Sequence, residues 1–305
     1  MSSPLEQYLV ELRDLSKPLV TSQLVNLSDL SHDEIEIFES EWPAIDVARR
    51  KQIVERLVEL AEDNLQLDFD EVFRICLADA DGKVRAEGIE GLCEGEERSL
   101  IEPMITLLLG DEEHSVRAAA AVALGRFALL AELGKLPPND AHKVEGALLT
   151  ALNKSDEDLD VYCRVLEAIS SSSKPEVEEL IRQAYKSNSV EFRASALYAM
   201  GQNCNPSWLP LLLKELRSPH PQLRFEAAGA CAKLEAEEAV PRLIELIHDS
   251  DAQVQVSAIE ALGQIGGSEA KEALQQCLKS SEDVVREEAQ EALKEMGFWE
   301  DPFNI

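Results

Sequence analysis

A 31-residue step, taken four times in succession, is the feature of this 305-residue chain that most restricts its fold. The segments DGKVRAEGIEGL, EHSVRAAAAVAL, DLDVYCRVLEAI, SVEFRASALYAM, HPQLRFEAAGAC, DAQVQVSAIEAL and EDVVREEAQEAL align without gaps on Val84, Val116, Val161, Phe192, Leu223, Val254 and Val285. Successive anchors lie 32, 45, 31, 31, 31 and 31 residues apart, and the long step is one repeat plus an insertion, placed in residues 131–140. A fixed period of this length implies one supersecondary unit built repeatedly, each copy burying its apolar face on the next.

The columns of the repeat say what that unit is. Four residues after the anchor the side chain is small (Gly88, Ala120, Ala196, Ala227, Ala258, Ala289), with Val165 the exception. Eight residues after it stand Leu92, Leu124, Ile169, Met200, Cys231, Leu262 and Leu293. Positions 0, 4, 5 and 8 share one face of an α-helix. The seventh position is always Gly or Ala, which lets a neighbouring helix approach closely. A second amphipathic helix lies upstream, as in SWLPLLLKELRS and AVPRLIELIHD, and Pro103, Pro210 and Pro241 each stand thirteen residues before an anchor. Proline is best tolerated in the first turn of a helix, so these residues mark helix starts. The connectors GDEEHS, RSPHPQ and HDSDAQ hold polar and turn-forming residues. An acid three residues before the anchor (Asp81, Glu113, Asp158, Asp251, Glu282) suits an N-cap or first-turn position of the second helix.

Helix pairs of about 31 residues, a Val-Arg step and a column of small residues together resemble the HEAT-repeat family, in the short bacterial form found in phycobilin lyases. The resemblance covers residues 66–297 and implies an all-α solenoid of about seven HEAT-like helix pairs, with the second helices lining its concave side. It also implies that Arg85, Arg117, Arg193, Arg224 and Arg286, each one residue after an anchor, form a stacked interior ladder that Tyr162 and Gln255 interrupt. The other reading of this column is a row of anion-binding groups. Residues 1–65 are helical but out of register and read as an N-terminal cap. There Ser31 and Glu34 form a capping box, Pro43 ends the helix that follows, and Arg49-Arg50-Lys51 reads as a solvated helix face. Residues 298–305 form an aromatic and acidic tail whose Phe298, Trp299 and Phe303 either plug the last repeat or offer a linear motif to a partner.

Charge narrows the function. With 29 Lys and Arg against 59 Asp and Glu, the formal charge of −30 excludes a general nucleic-acid binder and argues against docking on anionic membranes. A run of 18 apolar residues is absent, so no membrane span is expected, and Glu6, Glu11, Arg13 and Asp14 do not fit a signal peptide. The six cysteines have no metal-site spacing and read as reduced thiols of a cytoplasmic protein. One HEAT-like enzyme family, deoxyhypusine hydroxylase, binds iron through His-Glu pairs. None occurs here, and His32-Asp33 and His248-Asp249 are the nearest cases. Phosphate loops and nucleophile elbows are also missing. Neither a metal nor a cofactor is expected, and the chain reads as a non-catalytic protein-interaction scaffold. The alternative is a phycobilin-lyase-like or other chromophore-handling protein.

Columns two, three and six after the anchor are not needed for packing within a repeat, so they are the expected binding surface. They place Tyr198, Phe225 and Val256 in the middle, ringed by Glu167, Glu226 and Glu260, and an acidic end of Glu287, Glu288 and Glu291. The expected partner is another protein, engaged through a basic or mixed apolar and basic segment.

Overall fold

The computed structural model describes residues 3–93, 95–154 and 158–300, the last three of them by backbone alone. In chain order the helices are α1 (Pro4–Leu12), α2 (His32–Glu41), α3 (Val47–Asp63), α4 (Asp70–Cys76), α5 (Gly82–Leu92), α6 (Ile101–Gly110), α7 (His114–Glu132), α8 (Pro138–Leu152), α9 (Leu159–Ile169), α10 (Pro175–Tyr185), α11 (Val190–Asn203), α12 (Leu209–Glu215), α13 (Pro221–Lys233), α14 (Val240–Leu246), α15 (Ala252–Ile265), α16 (Ser268–Cys277) and α17 (Asp283–Glu300). Among the described residues there is no strand, so the all-α solenoid class holds. The chain divides into two compact units, residues 1–168 and 169–305.

Local chemistry sets the helix limits. Ser3 and Glu6 cap α1 reciprocally, as Ser31 and Glu34 cap α2, and Asp46 caps α3. Pro43 sits in the short 3-10 turn that follows α2. Asp81 and Asp251 each accept two amide hydrogens at the starts of α5 and α15, whereas Glu113, one methylene longer, makes no side-chain cap. Pro210 and Pro241 fall in the first turns of α12 and α14. The insertion in residues 131–140 is spent on helix rather than loop. It extends α7 to 19 residues, ends it at Gly134 with a positive φ of 68° and starts the 15-residue α8. The Lys135 amide donates back to the Leu130 carbonyl, the six-to-one bond that closes such an end. α7 is long and apolar enough to match a membrane span by composition. Its Val116, Ala120, Leu124 and Phe127 are buried, and α5, α6 and α8 pack against it as around a core helix.

Within each unit a first helix lies on its second helix: α4 on α5 and α6 on α7 in one, and α10 on α11, α12 on α13, α14 on α15 and α16 on α17 in the other. The second helices also stack in series, α3–α5–α7 and α11–α13–α15–α17. Every described anchor is buried except Phe192, which is half-buried, and the whole column of small residues at position four is buried. Each buried Val, Leu or Phe contributes about 1.5–3 kcal/mol.

The arginine column is a set of clamps. Arg85, Arg117, Arg224 and Arg286 each donate to the carbonyl six residues upstream, at 2.8 Å from Arg85 to Asp79, 2.9 Å from Arg117 to Asp111, and 2.8 Å from Arg224 to Ser218 and from Arg286 to Ser280. Gln255, read from sequence as a gap in the ladder, makes the same bond to Asp249 at 2.8 Å, because an amide NH₂ can replace one guanidinium NH₂ there. Two clamps also reach the next connector with a two-pronged ion pair: Arg85 to Asp111 at 2.7 and 2.7 Å, and Arg224 to Asp249 at 2.7 and 2.6 Å. The column is therefore structural wherever these carboxylates neutralise it, and it offers no row of free cations.

The N-terminal basic run departs from the sequence reading. Arg49 and Arg50 are 5% and 8% exposed, not solvated. Arg50 lies 3.0 Å from the Asp79 carboxylate and donates to the Ile45 carbonyl at 3.0 Å, which makes it the first rung of the ladder. Lys51 pairs with Asp81 at 2.9 Å, and Arg49 donates to the Lys17 carbonyl at 2.6 Å. The buried Asp79, which also accepts from the Trp42 indole at 2.7 Å, requires this positive charge. The six thiols are free, with Cys76, Cys163, Cys231 and Cys277 buried among apolar residues.

Candidate functional site

The second helices α5, α13 and α15 are each covered on three sides, and this decides which columns meet solvent. In each, the anchor face lies on the first helix of its own repeat, and the two flanks meet the second helices before and after it. On an ideal helix, columns 0, 4, 8, 5 and 9 together with 7 and 3 fill an arc of about 240°, leaving column six at the centre of the open remainder. The structure follows this geometry. Glu90, Val122, Tyr198, Glu260 and Glu291 of column six are exposed. Column three is largely withdrawn, with Ser195 and Ser257 buried and Glu87, Glu226 and Glu288 half-buried. The expectation that columns two and three lie clear of packing is corrected here: Ala118, Cys163 and Ala194 of column two are buried as well. Ser257 shows the reason, since its hydroxyl is 3.2 Å from the carbonyl of Phe225 on the neighbouring second helix.

Tyr198 and Phe225 are nevertheless 40% and 38% exposed, on the adjacent helices α11 and α13, and Val256 on α15 is half-buried. Gly229 on α13, which carries no side chain, sits in column six between Tyr198 and Glu260 and leaves the middle of the stripe shallow. Glu287 and Glu291 are exposed on α17. Although Glu260 is exposed at the surface, partial loss of hydration beside the packed helices, then the nearby carboxylates of Glu288 and Glu295, pushes its carboxyl above its ordinary pKa. Glu167 lies on α9 of the first unit, where Arg164 donates to it at 2.8 Å. That unit has its own acidic group, in which burial, opposed by Lys83, and then Glu55 and Glu90 raise Glu87. Glu87 and Glu90 are legible in sequence as an acidic first repeat, but Glu55 is not, because it belongs to the irregular N-terminal helices and cannot be placed beside Glu87 without the stack.

Phe298 and Trp299 belong to the last turn of α17, and their side chains, with Phe303, lie outside the described residues. Among the described residues no group of three His, Cys, Asp or Glu stands where it could hold a metal ion. Of the two His-Asp pairs, Asp249 is engaged by Arg224, and His32 lies 3.7 Å from Glu36 on an exposed turn.

Comparison with known proteins agrees with this architecture. The family model of HEAT repeats matches residues 70–137 and 209–294, together half of the chain. No curated protein sequence matches it. Among solved structures, the complex of CpcE and CpcF of phycocyanin lyase from Nostoc sp. is 16% identical over 93% of this chain and 96% of that one, with a TM-score of 0.55. Human deoxyhypusine hydroxylase is 19% identical over 96% of this chain and 97% of its own, with a TM-score of 0.37. Yeast importin-β is 14% identical over 96% of this chain and 41% of its own, with a TM-score of 0.46.

Proposed function

The chain belongs to the HEAT-repeat family, and from this premise we propose that it is a non-catalytic scaffold that binds a basic or mixed apolar and basic segment of another protein along its second helices. The observation that carries this reading is the pair Tyr198 and Phe225, two large side chains left about two-fifths exposed on a face otherwise lined with carboxylates. Glu226, Glu260, Glu287, Glu288 and Glu291 supply the negative field in the second unit, and Glu167 belongs to the same surface class in the first. The two kinds of residue have separate roles. Charge steers the encounter and weakens with salt, while an aromatic anchor buried by the partner contributes about 2 kcal/mol or more to holding it. The cytoplasm, where free thiols persist, suits such a scaffold.

The test is capture from extracts of the source cell with the parent chain and with Tyr198→Ala/Phe225→Ala. Both side chains are exposed, so the variant should stay folded. A partner that leaves the variant about thirtyfold faster, matching that anchor energy, supports the reading. Equal retention would remove the aromatic site. In parallel, the parent is incubated with a bilin. A bound chromophore that shifts the visible absorbance would replace the scaffold with the chromophore-handling alternative, which the phycocyanin lyase neighbour keeps in view.

A further inference from the structure

The connectors between first and second helices differ in charge. Five residues before the anchor stand Asp79, Asp111 and Asp249 but also Ser187, Ser218 and Ser280, and two residues later Asp81, Glu113 and Asp251 but Ser189 and His220. Of the three serines Ser218 alone follows a ladder arginine, Arg193, since Tyr162 and Gln255 occupy that column before the other two. In the repeat anchored on Leu223 the corresponding residues are Ser218 and His220, preceded by Arg217. The missing carboxylate has a structural consequence. Arg193, whose register equivalents Arg85 and Arg224 clamp a connector aspartate, meets Ser218 and turns instead to Glu215 at 2.9 Å. Glu215 is 2% exposed, accepts from the Tyr185 hydroxyl at 2.6 Å and lies 3.3 Å from Lys214.

Above this network a groove of about 850 Å³ opens between α12, α14 and the connector. Arg193, Lys214, Arg217 and Arg242 line it with His220, against the carboxylates of Glu215, Glu238 and Glu245. Glu215 is neutralised by Arg193, and Glu245 is ion-paired with Arg242. Among the described residues the side chains of Arg217 and His220 have no hydrogen-bond or ion-pair partner. Pro210, Leu213 and Pro241 provide apolar walls. A cation-rich groove is notable in a chain whose acids outnumber its bases 59 to 29. Counter-ions limit the reach of the remaining charge to about 8 Å at physiological salt, so the field inside the groove is set by its own lining.

We propose that this groove binds an acidic peptide segment of a partner protein, one anionic side chain meeting Arg217 and Lys214 and an adjacent apolar side chain resting on Pro210, Leu213 and Pro241. The planar guanidinium fork suits carboxylate and phosphate alike, so the anion is either Asp or Glu or a phosphorylated residue. The site lies on the first-helix side and is independent of the second-helix surface proposed above.

The experiment is fluorescence anisotropy with two labelled decapeptides, one alternating Glu with Leu and one alternating phosphoserine with Leu. Each is titrated with the parent, with Arg217→Glu and with Lys135→Glu. Lys135 is exposed in the first unit and its reversal changes net charge equally. At least one peptide should bind the parent, lose about tenfold in affinity with Arg217→Glu and be unaffected by Lys135→Glu, and the tighter peptide identifies the anion. Failure of both peptides to bind the parent would overturn the proposal. So would unchanged binding by Arg217→Glu, or an equal loss in both variants. Because Arg217 is exposed and has no partner, its reversal leaves the fold intact, which the far-ultraviolet circular dichroism of each variant verifies.

Discussion

Gly201 on α11 lies so close to Ala230 on α13 that a β-carbon on the glycine would fall 2.9 Å from the alanine Cα. The relationship repeats: a β-carbon on Gly263 would fall 2.8 Å from the β-carbon of Ala292, and one on Gly125 would fall 3.1 Å from the Cα of Ala168. In each case the ninth residue after one anchor meets the seventh after the next. Stacking of second helices thus rests on backbone approach as well as on side-chain burial. Gly201→Ala should therefore destabilise the chain by about 1–3 kcal/mol, since neither backbone can yield cheaply. Gly229→Ala should stabilise it by about 0.5–1 kcal/mol, because a β-carbon there meets nothing within 4 Å and helix entropy favours alanine. Urea unfolding of the two variants checks both signs.

Asp249 neutralises Arg224 with both partners nearly buried, their side chains 8% and 10% exposed. Asp249→Ala leaves a buried guanidinium uncompensated and should cost about 3 kcal/mol or more. Glu291→Ala breaks only the exposed pair with Lys294 and should cost under about 1 kcal/mol. A loss at Asp249 as small as that at Glu291 would count against the ladder as a structural element.

The acids divide into two classes with opposite pH dependence. Asp111 and Asp249 are held below their ordinary range: burial, the largest single effect, would raise them, but the hydrogen bonds from Arg85 and Arg224, the backbone amides of Glu113 and Asp251 and the nearby guanidinium charges together outweigh it. A group depressed on folding adds stability above its unfolded pKa and loses it as pH falls through the folded value. Glu260 and Glu87 are raised, so the native state binds their protons more tightly and stability grows as pH falls through their folded values towards the unfolded value near 4.3. Glu260→Gln should therefore stabilise the chain at neutral pH and flatten the rise in stability on mild acidification. Thermal melts between about pH 7 and 5 measure it. A basic partner should bind Glu260 more tightly at the upper end of that range, where the carboxylate is charged.

Removing residues 224–254 deletes one full period and joins Leu223 to Gln255. Gly201 then faces Ala261, which occupies the same register position as Ala230. The shortened chain should keep its helix content per residue and unfold cooperatively, as nearest-neighbour stacking requires. A product without helical signal would refute the assigned register.

The sequence by itself determined the repeat, the helix pairs, their proline and aspartate starts, and the anchor face from Val84 to Val285, because a 3.6-residue period reports how one helix sits on its own partner. It could not report the flanks. Ser257 is buried, and Gly125, Gly201 and Gly263 pass close to Ala168, Ala230 and Ala292, only because second helices stack side by side within each unit. For the same reason Arg49 and Arg50, which look solvated in isolation, are drawn inward where Asp79 and the loop carbonyls need their charge. The groove at Arg217 likewise needed the tertiary structure. A serine in place of an aspartate is a small change in a connector, and only the stacked helices show that Arg193 turns to Glu215 in response and leaves a neighbouring cation unpaired.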